Sequence, residues 1–248
     1  MLRKIKSTLY SAALLWGKIK FNNRDSKVLY YHDVHKDSDI PETLMSTPIS
    51  VFLEHVRIIR ESGFEIVDCI TKPRNQIMIT FDDGFKGVYK NKSILISGMI
   101  PITVFVITET IGQHLYLNIK ELKELEGMGI RIQSHTHTHP DLNLLAMSEL
   151  EFEMATSKKI LENTVKSPIT DLCFPKGLFT NDVTREAYKC GYFNLYSCIP
   201  GSFYEDNSFN VIFRNLVQFS SNFDFNCILF GGLNIFKKRY TKQHYNGE

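Results

Sequence analysis

The chain has 248 residues, 43% of them hydrophobic and 23% charged, with a formal net charge of +2. That length suits one α/β domain with a substantial core, and the composition excludes disorder. So small a net charge gives no general pull toward nucleic acid and points to neutral or weakly charged substrates.

Five cysteines, Cys69, Cys173, Cys190, Cys198 and Cys227, are odd in number and contain no C-x-x-C pair. They read as free thiols in a reducing compartment. The N-terminus places Arg3, Lys4 and Lys6 before an uncharged eleven-residue run, STLYSAALLWG. That run is shorter than the ~20 residues needed to span a bilayer, and no small-x-small cleavage site follows. Leu2, Ile5, Leu9, Ala13 and Trp16 share one helical face between lysines. Two readings stay open: a helix packed on its own domain, or a basic amphipathic helix making peripheral contact with a membrane surface. CILFGGLNIF followed by Lys237, Lys238 and Arg239 poses the same choice near the other end. With no cleavage site and no spanning helix, the expected location is the cytoplasm, at its membrane face, rather than secretion.

Residues 27–34, KVLYYHDV, read as a buried strand running into a loop. Residues 50–63 have the apolar spacing of a helix stopped by Gly63, and 64–67 form a short strand. QIMITFDDG (76–84) is an apolar strand whose C-terminal end carries two carboxylates and a glycine. A helix and the strand PITVFVIT (101–108) follow. Asn118 and Glu121 have capping spacing for a helix that stops at glycine. IRIQS (130–134) delivers His135, His137 and His139. Ser148 with Glu151 predicts a capped helix running to Val165, and DLCFP (171–175), a helix over 181–190 and YFNLYS (192–197) complete the alternation. Strands alternating with helices predict a parallel sheet or barrel, with functional groups at the strands' C-terminal ends. The expected division is a basic N-terminal segment (1–26), a catalytic domain (27–218) and a C-terminal extension (219–248).

Asp82, Asp83 and the three histidines all fall at such ends. Adjacent carboxylates repel unless a cation or proton separates their roles, and successive side chains on extended backbone point opposite ways. One can bind a metal while the other stays free as a base. Two imidazoles and a carboxylate leave an open position for water, as a catalytic site requires. Taken singly, Asp-Asp-Gly is an ordinary turn and His-x-His a solvated strand face. Their joint placement at buried strand ends favours a shared site.

TFDDG (80–84) and SHTHTHPDL (134–142), with PITVFVI, CFPKG (173–177), CGYFNLYS (190–197) and PGSF (200–203), resemble the NodB-like polysaccharide deacetylases of carbohydrate esterase family four. The resemblance covers residues 28 to 215 and implies a distorted, incomplete (β/α) barrel. Its His-Ser/Thr-x-x-His pattern makes His135 and His139 metal ligands with Asp83, leaves His137 variable and gives Thr136 a loop-bracing role. Asp82 is the implied general base. Pro175, with Lys176 and Tyr31, is expected to line the substrate groove, and the N–H after Pro175 to help hold the oxyanion. The implied ion is divalent: zinc, with cobalt, nickel, manganese or iron as alternatives. The implied substrate is an N-acetylated oligo- or polysaccharide, or a lipid-linked sugar, in surface polysaccharide biosynthesis.

Two departures stand out. The family's arginine near the third motif is replaced by Leu172, Cys173 and Phe174, and the late Leu-x-His supplying the general acid is missing. LYYHDV (29–34) resembles the N-terminal motif of the poly-N-acetylglucosamine deacetylase branch, which makes His32 the expected acid. Arg214 in IFRNLV is the candidate substitute for the arginine that orients the base. Two other readings remain: an amidohydrolase- or phosphoesterase-type site built on His-x-His, and an inactive glycan-binding module.

Overall fold

The computed structural model describes residues 2–245, with side chains from residue 7. The elements are α1 (Leu2–Phe21), β1 (Lys27–Tyr31), β2 (Asp33–His35), β3 (Ser46–Pro48), α2 (Ile49–Glu61), β4 (Glu65–Val67) and β5 (Gln76–Phe81). Next come α3 (Gly87–Lys90), α4 (Lys92–Ser97), β6 (Thr103–Val106), α5 (Ile119–Gly127), β7 (Arg131–Ser134) and α6 (Met147–Thr164). The remainder is β8 (Asp171–Cys173), α7 (Asn181–Lys189), β9 (Asn194–Tyr196), β10 (Arg214–Leu216), α8 (Asn222–Leu229) and α9 (Lys237–His244).

Seven parallel strands run in the order β10-β1-β5-β6-β7-β8-β9. β4 pairs with the first half of β5 on the side where β6 pairs with its second half. A parallel bridge between Tyr196 and Ile212 nearly closes the ring between β9 and the approach to β10. The result is the expected distorted (β/α) barrel. β1, β5 and β6 are buried along their whole length, as their apolar runs require once helices cover the sheet.

The capping box of α5 forms as its sequence predicts: Asn118 Oδ1 accepts from Glu121 N at 2.9 Å and Glu121 Oε2 from Asn118 N at 2.8 Å. The cap predicted for α6 is displaced. The helix starts at Met147, and Glu149, not Glu151, accepts the N–H of Ala146 at 2.8 Å. The Leu145–Ala146 backbone is extended and Ala146 is the N-cap, two residues before Ser148.

α1 packs against α8 and the 3-10 turn over Gly232–Phe236. The contact is close because glycine meets glycine: a Cβ on Gly17 would lie 2.2 Å from the carbonyl oxygen of Gly232. Leu14 is fully buried there, and Tyr10 stacks on Phe236 at 5.6 Å. Leu9 and Trp16, by contrast, are 66% and 59% exposed. The helix therefore packs on its own domain through one face and leaves the other bare. The side chains of Leu2 and Ile5, placed on the apolar face by the sequence, fall outside the described ones.

Candidate active site

β5 ends at Phe81, and the next two residues part ways. Asp82 is 3% exposed and receives both guanidinium nitrogens of Arg214, Nη1 to Oδ1 at 2.7 Å and Nη2 to Oδ2 at 2.8 Å. Asp83 has a left-handed backbone (φ +69°), which swings its carboxylate outward to the histidines. Its Oδ1 lies 3.4 Å from His135 Nε2 and 3.7 Å from His139 Nε2.

Other strained residues gather here. Among the described residues, Asp83, Thr136, His139 and Lys176 are four of the eight non-glycine positions at positive φ. Backbone of this kind persists where surrounding contacts hold it, commonly at functional sites. The contacts are visible. Thr136 Oγ1 accepts from His139 N at 3.2 Å, and Ser134 Oγ from Thr136 N at 3.2 Å. Glu153, buried on α6, accepts from the backbone N–H groups of His137 and Thr138 at 2.9 and 2.8 Å, and from the Thr138 hydroxyl at 2.6 Å. His135 Nδ1 donates to the Cys173 carbonyl at 2.8 Å, which leaves Nε2 facing Asp83 as an acceptor.

His137 turns away from this group. Its Nδ1 pairs with Thr108 Oγ1 at 2.9 Å and its ring meets Phe152 edge-on. The convergent donors are therefore Asp83, His135 and His139, all within 4.8 Å of one another. Ligand bonds of ~2.0–2.2 Å to one ion imply donor separations of this order, so the three atoms fit a divalent metal. Burial and the neighbouring His135 lower His139 to about 4, so the ring is neutral near pH 7, as a ligand must be.

Arg214 is fully buried and held on every side. Its Nε donates to the Ser197 carbonyl at 3.0 Å, Nη1 also reaches Thr80 Oγ1 at 3.3 Å, and the Tyr30 ring lies 4.3 Å from its central carbon. Burial alone would raise the Asp82 carboxyl, but the guanidinium outweighs it and holds the group at about 2. Asp82 is thus a fixed, ionised acceptor. Cys173, in the stretch where the family pattern expects the arginine, brings Sγ to 3.8 Å from Asp82 Oδ2.

His32 lies just beyond β1, half-buried, and a positive charge on it would lower both Asp82 and Asp83. Its Nδ1 donates to Gln218 Oε1 at 2.6 Å, which leaves Nε2 outside that bond. Sequence reasoning missed Gln218 and Glu153. Each is a polar residue in an ordinary pattern, and only its buried partner reveals it.

One expectation needs correction. Tyr31 does not line a groove: it is 1% exposed, packed on Phe52 and Phe81, and its hydroxyl donates to His55 Nδ1 at 2.9 Å. Alternation along β1 sends Tyr31 into the core and His32 to the other side. Pro175 is buried as well, and Lys176 beside it reaches solvent, where its ammonium pairs with Asp141. The turn after Pro175 is closed by Gly177 N and Leu178 N, so the Lys176 N–H is not spent on that closure.

Comparison with known proteins bears on the family and the fold. The polysaccharide deacetylase family model matches residues 70–195. YxkH of Bacillus subtilis, which carries the polysaccharide deacetylase name, is 27% identical over 198 residues, covering 75% of this chain and 69% of its own. Among solved structures, IcaB from Ammonifex degensii superposes with a TM-score of 0.73 at 19% identity, over 84% of this chain and 98% of that one. The Streptococcus pyogenes deacetylase PplD, in complex with acetate, gives 0.69 at 21% identity, over 79% and 93%. These structures share the fold. With the family pattern matched over half the sequence, this chain belongs to the polysaccharide deacetylases, hydrolases that act on the amides of N-acetyl sugars.

Proposed function

We propose that the chain removes acetyl groups from an N-acetylated glycan, with a divalent ion held by Asp83, His135 and His139. Zinc suits the two imidazoles and one carboxylate best, and cobalt, nickel, manganese or iron are the alternatives. Such an ion would supply acidified water near neutral pH and polarise the amide carbonyl.

The chain's own groups do the rest. Asp82, ionised and locked by Arg214, takes the proton from the attacking water. The Lys176 N–H helps hold negative charge on the former carbonyl oxygen. His32, oriented through Nδ1 by Gln218, delivers a proton from Nε2 to the leaving nitrogen. The C–N bond then breaks to give acetate and the free amino sugar. Substrates in this reading are glycans or lipid-linked precursors of surface polysaccharide. The five free thiols support placing the reaction in a reducing compartment, at the membrane face of the cytoplasm.

The observation that carries the reading is the pairing of a metal-competent Asp83–His135–His139 group with a separately clamped Asp82 one residue away. Acetate release from N-acetylated chito-oligomers, with zinc or cobalt added, tests it. Release that requires the ion and vanishes in His135→Ala and His139→Ala is expected. Undiminished zinc affinity in both variants would overturn the ligand assignment.

A further inference from the structure

The bare face of α1 is a feature the hydrolytic site does not use. Leu14 and Gly17 are buried against the domain and Tyr10, though 40% exposed, stacks on Phe236, whereas Leu9, Ala12, Leu15, Trp16 and Ile19 form a stripe on the opposite side. Leu9 is 66%, Trp16 59% and Ile19 63% exposed, so the stripe is solvent-facing over three turns. Isolated exposed apolar residues are ordinary, but a continuous stripe including the chain's single tryptophan is not.

The charges around it are one-sided. α1 contains five basic residues (Arg3, Lys4, Lys6, Lys18 and Lys20) and no acidic one. α9 contributes Lys238, Arg239 and Lys242, again without an acid, while its Lys237 is paired with Glu205; Tyr10 stacks on Phe236 immediately before the helix. Lys20, Lys238, Arg239 and Lys242 are exposed. In a chain whose net charge is only +2, these four exposed cations stand on α1 and the neighbouring α9 with no acidic residue on either helix. The Gly17–Gly232 contact fixes the helix to the body, so the face is presented rather than loosely tethered. No helix among the described residues is long and apolar enough to cross a bilayer.

We infer that α1 docks the protein onto an anionic lipid surface. The stripe enters the headgroup boundary, and the exposed Lys20 of α1 and Lys238, Arg239 and Lys242 of α9 pair with lipid phosphates. Charge complementarity selects this occupant. A second copy of the chain would set the same cations against each other.

The test uses the full chain and two vesicle preparations, phosphatidylcholine alone and an equal mixture with phosphatidylglycerol. Trp16 reports directly: co-sedimentation and a blue shift of its emission are expected with the mixed vesicles, both reversed by high salt. Leu9→Glu with Ile19→Glu should weaken vesicle binding at least about tenfold, and Lys20→Glu about fivefold. Acetate release from soluble oligomers should be unchanged in both, since neither change touches the barrel's upper end. Equal binding by the parent and the Leu9/Ile19 variant would overturn the inference. So would a lipid-independent dimer that the same variant dissociates, which would assign the face to a second copy. Failure of the hydrolytic reading would leave these vesicle results unaffected.

Discussion

Asp82 and Asp83 are neighbours in sequence and opposites in environment. Asp82 is sealed beneath the strand ends, its charge matched by a guanidinium that is itself fully buried. Asp83 is 16% exposed at the side chain and faces two imidazoles that offer lone pairs, not fixed positive charge. The difference rests on one backbone angle at Asp83, whose positive φ turns its carboxylate away from its neighbour's. Two like charges one residue apart thereby acquire separate partners, and neither has to be protonated at neutral pH. The inner carboxylate is organised for proton transfer and the outer one for binding.

The sharpest break of this division comes from substituting the two residues separately. Asp82→Asn should lower kcat by ~10²–10⁴ while leaving zinc binding, measured calorimetrically, close to that of the parent. Asp83→Ala should lose both. Loss of zinc binding in Asp82→Asn would mean that the two carboxylates act as one group. Next in size is Arg214→Ala, which strands a buried carboxylate and should cost about 3–5 kcal/mol in urea unfolding. Adding Asp82→Asn should restore part of that loss, and a purely additive double variant would argue against the pairing.

Acid unfolding sharpens the same contrast. Asp82 has a folded value of about 2 against an ordinary 3.8, so its contribution is complete above pH 3.8 and fades as pH falls toward 2. His55 behaves the same way at higher pH. Burial holds its ring at about 4 against an ordinary 6.5. Its contribution is complete above 6.5 and is lost as pH falls to 4. A melting temperature that declines in two stages is expected for the parent, with the upper stage diminished but not abolished in His55→Asn, because His139 is held at about 4 as well and titrates over the same range. The smallest effect is predicted for His137→Ala, with acetate release within about fivefold of the parent and about 1 kcal/mol lost with the Thr108 hydrogen bond. A severe loss would revive the His-x-His reading.

How much could be read without coordinates varied with sequence distance. The barrel alternation, the strand ends bearing Asp82, Asp83 and the histidines, and the capping box at Asn118 are local patterns written in residue type and spacing. They were legible because strand and helix periods impose them. Arg214 was only a candidate, since it sits 132 residues from Asp82 and its role exists only because β10 joins β1 beside β5. Gln218 lies 186 residues from His32 and gave no local signal. Tyr31 was misread because an aromatic residue beside a site histidine looks the same whether it faces substrate or core.

The sequence alone therefore determined the parallel α/β framework and the two motif-bearing strand ends, since these follow from hydrophobic period and local turn chemistry. Tertiary structure decided which carboxylate met which partner, which histidine turned away and which face of α1 stayed bare. Those outcomes depend on the closing of the ring and on a few left-handed backbone angles, and both bring together groups that no short-range pattern connects.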